Sequence, residues 1–231
     1  MSLYCAHGFL GGPGDWDFLA DAGFEIATRP FFFGPTPLPP LVDFAETIRD
    51  TIAPETVLVG YSMGGRLIAE ALARGARPAK AVLVSTGLGI ESAEARAARR
   101  ASDETWARRF ETDPWDSVLA GWNAQTVFGG HRLDRGEHFD NYSYSRPALA
   151  AALREWSPGV QEPLAQRLAT VDIPTLWIAG ARDTKYVAEA ERGANVMPRG
   201  EVAILEDAGH RVPWEAPEAF IATLRAFLDT R

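Results

Sequence analysis

Short apolar runs alternate along this chain with stretches in which apolar residues recur every three to four positions. The runs predict buried strands near residues 3–6, 24–28, 56–60, 80–85, 174–179 and 201–205. The intervening stretches predict helices near residues 15–22, 41–52, 64–74, 185–193 and 214–228. Because strands that alternate with helices form a sheet covered on both faces, we predict an α/β fold with a mostly parallel sheet.

One stretch between the fourth and fifth predicted strands breaks this alternation. Residues 87–169 are rich in arginine, alanine and tryptophan and show a helical pattern. Since this stretch follows a strand directly, it predicts a helical insertion above the sheet edge at which that strand ends. We expect residues 1–86 and 170–231 to form the core and residues 87–169 to form a lid, an element that excludes water and sets substrate choice in many enzymes.

The composition limits the binding partners and the cellular compartment that we expect for this protein. The 31 acidic residues outnumber the 23 lysines and arginines, and the net charge of −8 disfavours nucleic acid and anionic membranes. The single cysteine, Cys5, lies in a predicted strand, which indicates a buried thiol and a reducing compartment. With a core strand close to Met1 and no apolar run of spanning length, we expect a cytoplasmic protein without a signal peptide or membrane span.

The most informative motif is Gly-Tyr-Ser-Met-Gly at residues 60–64. An apolar, β-branched run precedes it and a helix-forming run follows it, which is the context of a nucleophile elbow. The two glycines allow a strained turn and a close approach of helix and strand, so that the Ser62 hydroxyl stands clear of the sheet edge. A chance match in a glycine-rich chain is the alternative, and the order of strand, motif and helix favours the elbow.

An elbow serine requires an acid and a histidine further along the chain, in that order. Asp183 follows the predicted strand 174–179, and His210 follows the strand 201–205, so both come at the sheet edge that carries Ser62. We predict that His210 is the general base and that Asp183 fixes its orientation, with Asp207 as a rival acid. The other histidines lie in the first loop or in a polar stretch of the lid: His7, His131 and His138.

The His-Gly-Phe-Leu-Gly sequence at residues 7–11 predicts the loop that contributes to an oxyanion hole. In a sheet of this kind, that loop supplies one backbone N–H, here Phe9, and the residue after the nucleophile, Met63, supplies the other. The glycines of this loop do not match a nucleotide-binding motif. The spacing of histidine, cysteine and carboxylates suits no metal site, and we expect no metal or organic cofactor.

Arginines near the predicted site indicate the charge of the substrate. Arg66 comes four residues after Ser62 and therefore lies on the same helix face, and Arg96, Arg99 and Arg100 share one face of a lid helix. We expect Arg66 and Arg99 to point into one cavity beside Ser62 and to bind an anionic group of a small substrate. The alternative for these arginines is a solvated helix face.

These motifs resemble those of the SHCHC synthases of menaquinone biosynthesis, which belong to the α/β-hydrolase fold. The resemblance covers most of the chain, including the elbow 60–66, the loop 7–11, the acid loop 182–186 and the arginine-rich lid helix with Trp122 and Gln125. It implies a triad of Ser62, Asp183 and His210 and oxyanion donors at Phe9 and Met63. It also implies a substrate pocket lined by Tyr61, Arg66, Arg99 and Trp122.

The resemblance further implies the activity. In that family the serine, assisted by histidine, removes a ring proton from a cyclohexene tricarboxylate, and pyruvate is expelled without an acyl-enzyme. The chain departs from the family pattern in its shortened N-terminus, in the loop at residues 28–35 and at Asn141, where the family has a further pocket arginine. Two alternatives therefore stand beside the lyase: a serine hydrolase of an ester, thioester or C–C bond that uses an acyl-enzyme, and a binding protein on a hydrolase scaffold.

Overall fold

A single parallel sheet organises the protein. The computed structural model describes residues 2–28, 38–129 and 144–230, and His131, His138, Asn141 and most of the 28–35 loop lie outside these ranges. The strands of the sheet are β1 (Ser2–Ala6), β2 (Glu25–Thr28), β3 (Val57–Tyr61), β4 (Lys80–Val84), β5 (Thr175–Gly180) and β6 (Gly200–Leu205). Their order is β2-β1-β3-β4-β5-β6, and each neighbouring pair is parallel.

Helices connect successive strands, and short 3-10 turns lie at Pro13–Trp16 and Thr126–Phe128. Six helices belong to the two parts that flank the long insertion: α1 (Asp17–Asp21), α2 (Leu41–Thr51), α3 (Met63–Ala73), α8 (Thr184–Val196), α9 (Val212–Glu215) and α10 (Pro217–Asp229). The insertion between β4 and β5 contributes α4 (Ala93–Thr112), α5 (Trp115–Asn123), α6 (Arg146–Glu155) and α7 (Ala165–Leu168). None of the helices in the described ranges is long and apolar enough to cross a membrane.

The sheet is covered on both faces because side chains alternate along each strand. On β3, Leu58 packs in the cluster that contains α2, α3 and α8, whereas Val57 and Val59 pack in the cluster that contains α1 and α10. Every residue of β3, β4 and β5 is buried. This agrees with the near-continuous apolar runs of the sequence, which are typical of parallel sheets.

The predicted strands and most of the predicted helices are confirmed to within one or two residues. The closing helix predicted at 214–228 is instead two helices, because Ala216 leaves the helical region with φ −141° and ψ 62°. The cause is Pro217, which disfavours a helical conformation in the residue before it. Cys5 is buried as expected, and burial raises the pKa of its thiol far above the ordinary value.

The inserted helices are held together by charged groups. Arg154 of α6 donates to Glu104 and Glu111 of α4, with the shortest distances at 2.6 Å in both pairs. Asp103, also on α4, is buried and accepts a hydrogen bond of 2.6 Å from Ser157. The polar residues of α4 therefore bind other parts of the insertion in addition to facing solvent. That this insertion acts as a lid stays a prediction.

The glycines of the elbow are required by close backbone packing. A Cβ atom on Gly60 would lie 2.7 Å from the carbonyl oxygen of Gly64, and one on Gly64 would lie 2.2 Å from the carbonyl oxygen of Ala6. Both contacts are with backbone, which cannot move aside without shifting a strand or a helix. Helix α3 can therefore approach β1 and β3 this closely only with glycine at these positions.

We predict that Gly64→Ala lowers the free energy of unfolding by about 2 kcal/mol or more, since its methyl group would collide with β1. Gly121→Ala in α5 is the matched control, because the nearest atom to its Cβ, at 2.9 Å, is the far end of the long Arg109 side chain and not backbone. That control should leave stability unchanged or raise it by up to about 1 kcal/mol through helix propensity. Urea unfolding measures both changes, and equal stabilities would contradict the packing explanation.

Candidate active site

Ser62 lies at the sharp turn between β3 and α3. Its backbone has φ 51° and ψ −109°, a conformation that residues other than glycine rarely adopt. The turn is held from β4, because the Ser62 N–H donates to the carbonyl of Val84 at 2.8 Å and the Thr86 hydroxyl donates to the carbonyl of Ser62 at 3.1 Å. The predicted strained elbow is present, and its hydroxyl is presented at the carboxyl end of the sheet.

The structure brings Ser62 together with the two predicted partners. Ser62 Oγ lies 3.1 Å from His210 Nε2, and His210 Nδ1 lies 2.7 Å from Asp183 Oδ2. The other carboxylate oxygen of Asp183 accepts from the backbone N–H of Tyr186 at 3.3 Å, which fixes the carboxylate at the start of α8. The rival acid, Asp207, is exposed. The arrangement is the hydrogen-bonded chain that serine activation requires.

Glu215, which the sequence reasoning did not single out, holds the loop that carries His210. Its carboxylate accepts from the backbone N–H of Gly209 at 2.7 Å and from that of Arg211 at 3.1 Å, so the residues before and after His210 are both held. Arg182 donates to the same carboxylate at 2.8 Å. The available signal was an acidic residue five positions after the histidine, in a Trp-Glu-Ala-Pro sequence that begins a helix.

Three aromatic rings surround the imidazole of His210. The ring centroids of Tyr186, Tyr61 and Phe128 lie 4.7, 5.6 and 5.7 Å from that of His210. His210 itself is only 5% exposed. These rings limit the access of water and restrict rotation of the imidazole, so the hydrogen bonds to Ser62 and Asp183 are held in place. Tyr61 therefore contacts His210 directly.

The predicted oxyanion loop lies beside Ser62. Phe9 packs against Trp122 of α5, with ring centroids 4.6 Å apart, and Leu10 has a positive φ of 58°. The hydroxyl of Tyr144 donates to the Leu10 carbonyl at 2.7 Å and ties this loop to the inserted segment. Met63 is the first residue of α3, where backbone N–H groups have no partner within the helix. The oxyanion role of Phe9 and Met63 stays a prediction.

A small chamber opens directly onto the serine. Its described lining residues are mostly apolar or aromatic and include two polar side chains besides the serine: Phe9, Leu10, Tyr61, Ser62, Trp122, Asn123, Phe128 and Arg211. Tyr61 and Trp122 thus lie where the resemblance implies. Neither Arg66 nor Arg99 occurs among these lining residues. Arg211, which the sequence reasoning did not consider, does.

Arg66 and Arg99 lie outside the lining of this chamber and interact electrostatically with each other. Burial and the positive charge of Arg99 lower the pKa of Arg66 to about 10, so its guanidinium remains charged at neutral pH. Its described hydrogen bonds go to neutral oxygens, at 2.7 Å to the Trp156 carbonyl and at 3.4 Å to the Gln161 amide. Arg99 pairs with the buried carboxylate of Asp103 at 2.9 Å. The carboxylates of Asp103 and Glu70 also act on Arg66 and raise its pKa.

The other two arginines of the α4 face serve the structure of the insertion. Arg96 donates to the carbonyls of Ile90 and Glu91, both at 3.0 Å, and Arg100 donates to the carbonyl of Gly159 at 2.5 Å. These contacts tie α4 to the chain segments that enter and leave the insertion.

The fold and the serine, histidine and aspartate at the carboxyl edge of the sheet define a class of enzyme. The chain belongs to the α/β-hydrolase family, whose pattern it matches over residues 3–223. Within that family it is similar to proteins named 2-succinyl-6-hydroxy-2,4-cyclohexadiene-1-carboxylate (SHCHC) synthase. The one from Shigella sonnei (strain Ss046) is 32% identical over an alignment of 243 positions, which covers 98% of this chain and 93% of the relative. The one from Escherichia coli O139:H28 is 35% identical over 196 residues, 80% of this chain and 75% of the relative.

Solved structures share the architecture. MenH from S. aureus superposes with a TM-score of 0.86 at 22% identity, covering 99% of this chain and 93% of that protein. The enol-lactonase from Burkholderia xenovorans LB400 superposes with a TM-score of 0.75 at 19% identity, covering 99% of this chain and 91% of that protein. At these identities the similarity shows the fold, and the sequence relatives carry the resemblance to SHCHC synthase.

We predict that a fluorophosphonate probe labels the wild-type protein and that Ser62→Ala abolishes the labelling, because only a serine activated by a base attacks phosphorus readily. Ser85→Ala is the matched control, since Ser85 also has a positive φ, of 48°, but is fully buried. Its labelling should equal that of wild type, as measured by intact-protein mass spectrometry. Labelling that survives in Ser62→Ala would contradict the prediction that Ser62 is the serine activated by His210.

Proposed function

We propose that this enzyme is a carbon–oxygen lyase that eliminates pyruvate from a cyclohexene polycarboxylate, the reaction implied by its resemblance to the SHCHC synthases. The observation that carries the proposal is the hydrogen-bonded chain of Ser62, His210 and Asp183, with Arg66 and Arg99 close by. A hydrolase needs the same serine chemistry but has no need of a paired guanidinium region. The proposed substrate is a small anion, and the proposed location is the cytoplasm.

The proposed chemistry begins with proton transfer. His210 Nε2 accepts the proton of the Ser62 hydroxyl, and the Ser62 oxygen takes a proton from a ring carbon of the substrate. The electron pair of that C–H bond moves into the ring, and the C–O bond to the three-carbon acid breaks. The acid leaves as the enolate of pyruvate and takes a proton that the His210 imidazolium gives up, so His210 returns to its neutral form and atoms and charge balance without a covalent enzyme intermediate.

Two features of the site support this step. Asp183, 2.7 Å from His210 Nδ1, stabilises the imidazolium that forms when the serine is deprotonated. The negative charge that develops on the substrate requires fixed donors, which the backbone N–H groups of Phe9 and Met63 would supply. Donors of this kind are effective where water is excluded, and the rings of Tyr61, Phe128 and Tyr186 around His210 provide such surroundings.

The arginine pair supports an anionic substrate on energetic grounds. Burial and the charge of Arg99 lower the pKa of Arg66, and the carboxylates of Asp103 and Glu70 offset part of that effect. A substrate carboxylate bound there would add a further counter-charge. Guanidinium groups match carboxylates in shape as well as in charge, so the same contact would orient the ring over Ser62.

One observation favours the alternative of a serine hydrolase. The chamber at Ser62 is lined chiefly by aromatic and aliphatic side chains, including Phe9, Leu10 and Trp122, which suits the apolar part of an ester. A hydrolase would attack the substrate carbonyl through Ser62 Oγ and pass through an acyl-enzyme. The two functions differ in their product, and one assay therefore separates them.

We predict that the wild-type enzyme releases pyruvate from the enolpyruvyl-substituted cyclohexene polycarboxylate, and that Ser62→Ala lowers the rate by about three or more orders of magnitude without changing the melting temperature. Lactate dehydrogenase coupling measures the pyruvate. Rapid hydrolysis of p-nitrophenyl acetate with a burst phase, and no pyruvate from the polycarboxylate, would support the hydrolase instead.

We predict that Arg66→Ala and Arg99→Ala each weaken transition-state binding of the polycarboxylate by about 2–4 kcal/mol, because a carboxylate loses its partner in a partly desolvated site. Hydrolysis of the neutral ester p-nitrophenyl acetate should change little. Arg108→Ala is the control on the same helix, since Arg108 is exposed and pairs with Glu104. Equal losses on both substrates would mean that these arginines support the fold and do not recognise charge.

A further inference from the structure

We propose that the active site has a second compartment, a cleft between the 3-10 turn Thr126–Phe128 and the start of α8. The cleft receives a ring-sized part of the substrate while the reacting group lies in the chamber at Ser62, and Phe128 sets the width of the passage between them. The inference goes beyond the proposed function, because it depends on the shape of the site and not on the reaction. It shares with that function only the activation of Ser62 by His210.

The first support is size. The chamber at Ser62 has a volume of about 40 Å³. Pockets that hold small organic ligands generally measure about 300–1,000 Å³. The cleft, at about 470 Å³, lies within that range. The chamber therefore has room for the reacting group of a ligand, and the cleft has room for the larger part.

The second support is position. His210 and Asp183 line the cleft, whereas Ser62 lines the chamber. Because Ser62 Oγ lies only 3.1 Å from His210 Nε2, the two spaces border on adjacent members of one hydrogen-bonded chain. A ligand that reacts at Ser62 and extends past the imidazole therefore enters the cleft.

The third support is the placement of Phe128. Among the described lining residues, it alone borders both the chamber and the cleft. Its ring stands edge to face with that of His210, at 5.7 Å and 70°. Its backbone is held, since the Phe128 N–H donates to the Gln125 carbonyl at 3.0 Å and the Gln125 amide donates to the Trp122 carbonyl at 3.1 Å. The ring is thus fixed at the junction of the two spaces.

The walls of the cleft indicate the chemistry of its occupant. They combine the aromatic ring of Phe128 with the hydroxyl groups of Thr126 and Thr184 and the ammonium group of Lys185. An aromatic ring packs well against another ring, and hydroxyl and ammonium groups bind oxygen atoms. The cleft therefore suits a six-membered ring that carries oxygen substituents.

The test uses boronic acids, whose boron binds an activated serine whichever reaction the enzyme catalyses. Ser62 Oγ bonds to boron while its proton passes to His210, which leaves a tetrahedral boronate beside an imidazolium. We expect the wild-type enzyme to bind 2-phenylethylboronic acid about tenfold or more tightly than methylboronic acid, because the phenyl group is buried in the cleft. Isothermal titration calorimetry measures both affinities.

Two variants fill the cleft from its two sides. Thr126→Trp and Thr184→Trp should each lower the preference for the phenyl probe to about twofold or less, because an indole takes the place of the phenyl group. Both threonines are exposed and neither lines the chamber, so the affinity for methylboronic acid should not change. Thr105→Trp on α4 is the matched control, since Thr105 is also exposed and lines neither space.

A third variant widens the passage. Phe128→Ala should tighten 2,2-diphenylethylboronic acid relative to 2-phenylethylboronic acid by about tenfold, because the branched probe gains the space of the lost ring. Both probes bond to the same serine, so a change in the reactivity of Ser62 cancels in this ratio. Phe24→Ala is the matched control: Phe24 is also half-buried beneath an arginine, Arg225, but packs on the other face of the sheet.

The outcomes distinguish this inference from the proposed function. A preference that both tryptophans abolish, in an enzyme that releases no pyruvate, would support the cleft and reject the lyase. Pyruvate release by an enzyme that binds the phenyl probe no better than methylboronic acid would do the reverse. The inference is also overturned if the preference survives in both tryptophan variants, and the assignment of Phe128 is overturned if Phe128→Ala leaves the ratio of the two larger probes unchanged.

Discussion

The close approach of α3 to the sheet is the constraint on which the rest of the site depends. Gly60 and Gly64 leave no space for a side chain, and this lets the backbone turn at Ser62 with a φ of 51°. The strain of that turn is offset by the hydrogen bonds from Ser62 to β4 and from Thr86 to Ser62. As a result the serine hydroxyl stands above the sheet edge, and the start of α3 lies beside it.

The parallel sheet brings the partners of Ser62 to the same edge, because all of its strands end there. The strands β5 and β6 end at the same edge as β3, so the loops after them bring Asp183 and His210 to the serine from residues far along the chain. Fine positioning comes from smaller contacts. Asp183 caps α8, Glu215 fixes the peptides around His210, and aromatic rings enclose the imidazole. Each contact reduces the freedom of one group that the proposed proton transfer requires to be stationary.

Positive charge near the serine comes from two separate places. Arg66 and Arg99 interact electrostatically, with Arg99 paired to Asp103, whereas Arg211 lines the chamber at Ser62, where it contacts Phe128 and Asn123. The proposed polycarboxylate would use guanidinium groups, whereas a neutral ester would use only the apolar wall. The distribution of these guanidinium groups, more than the serine chemistry, is therefore what would separate a lyase from a hydrolase on this fold.

The sequence by itself determined the strands, the elbow and the order of serine, acid and histidine, because these depend on local periodicity and on motifs a few residues long. The prediction of one closing helix was wrong, because the helix is interrupted at Ala216, and Pro217 was the signal in the sequence that could have shown this. Only the tertiary structure placed Arg211 in the chamber and Arg96 and Arg100 on backbone carbonyls, and only it revealed the role of Glu215. An arginine side chain is long and can reach in many directions, so its contacts are decided by distant segments that pack around it and not by its own position in the sequence.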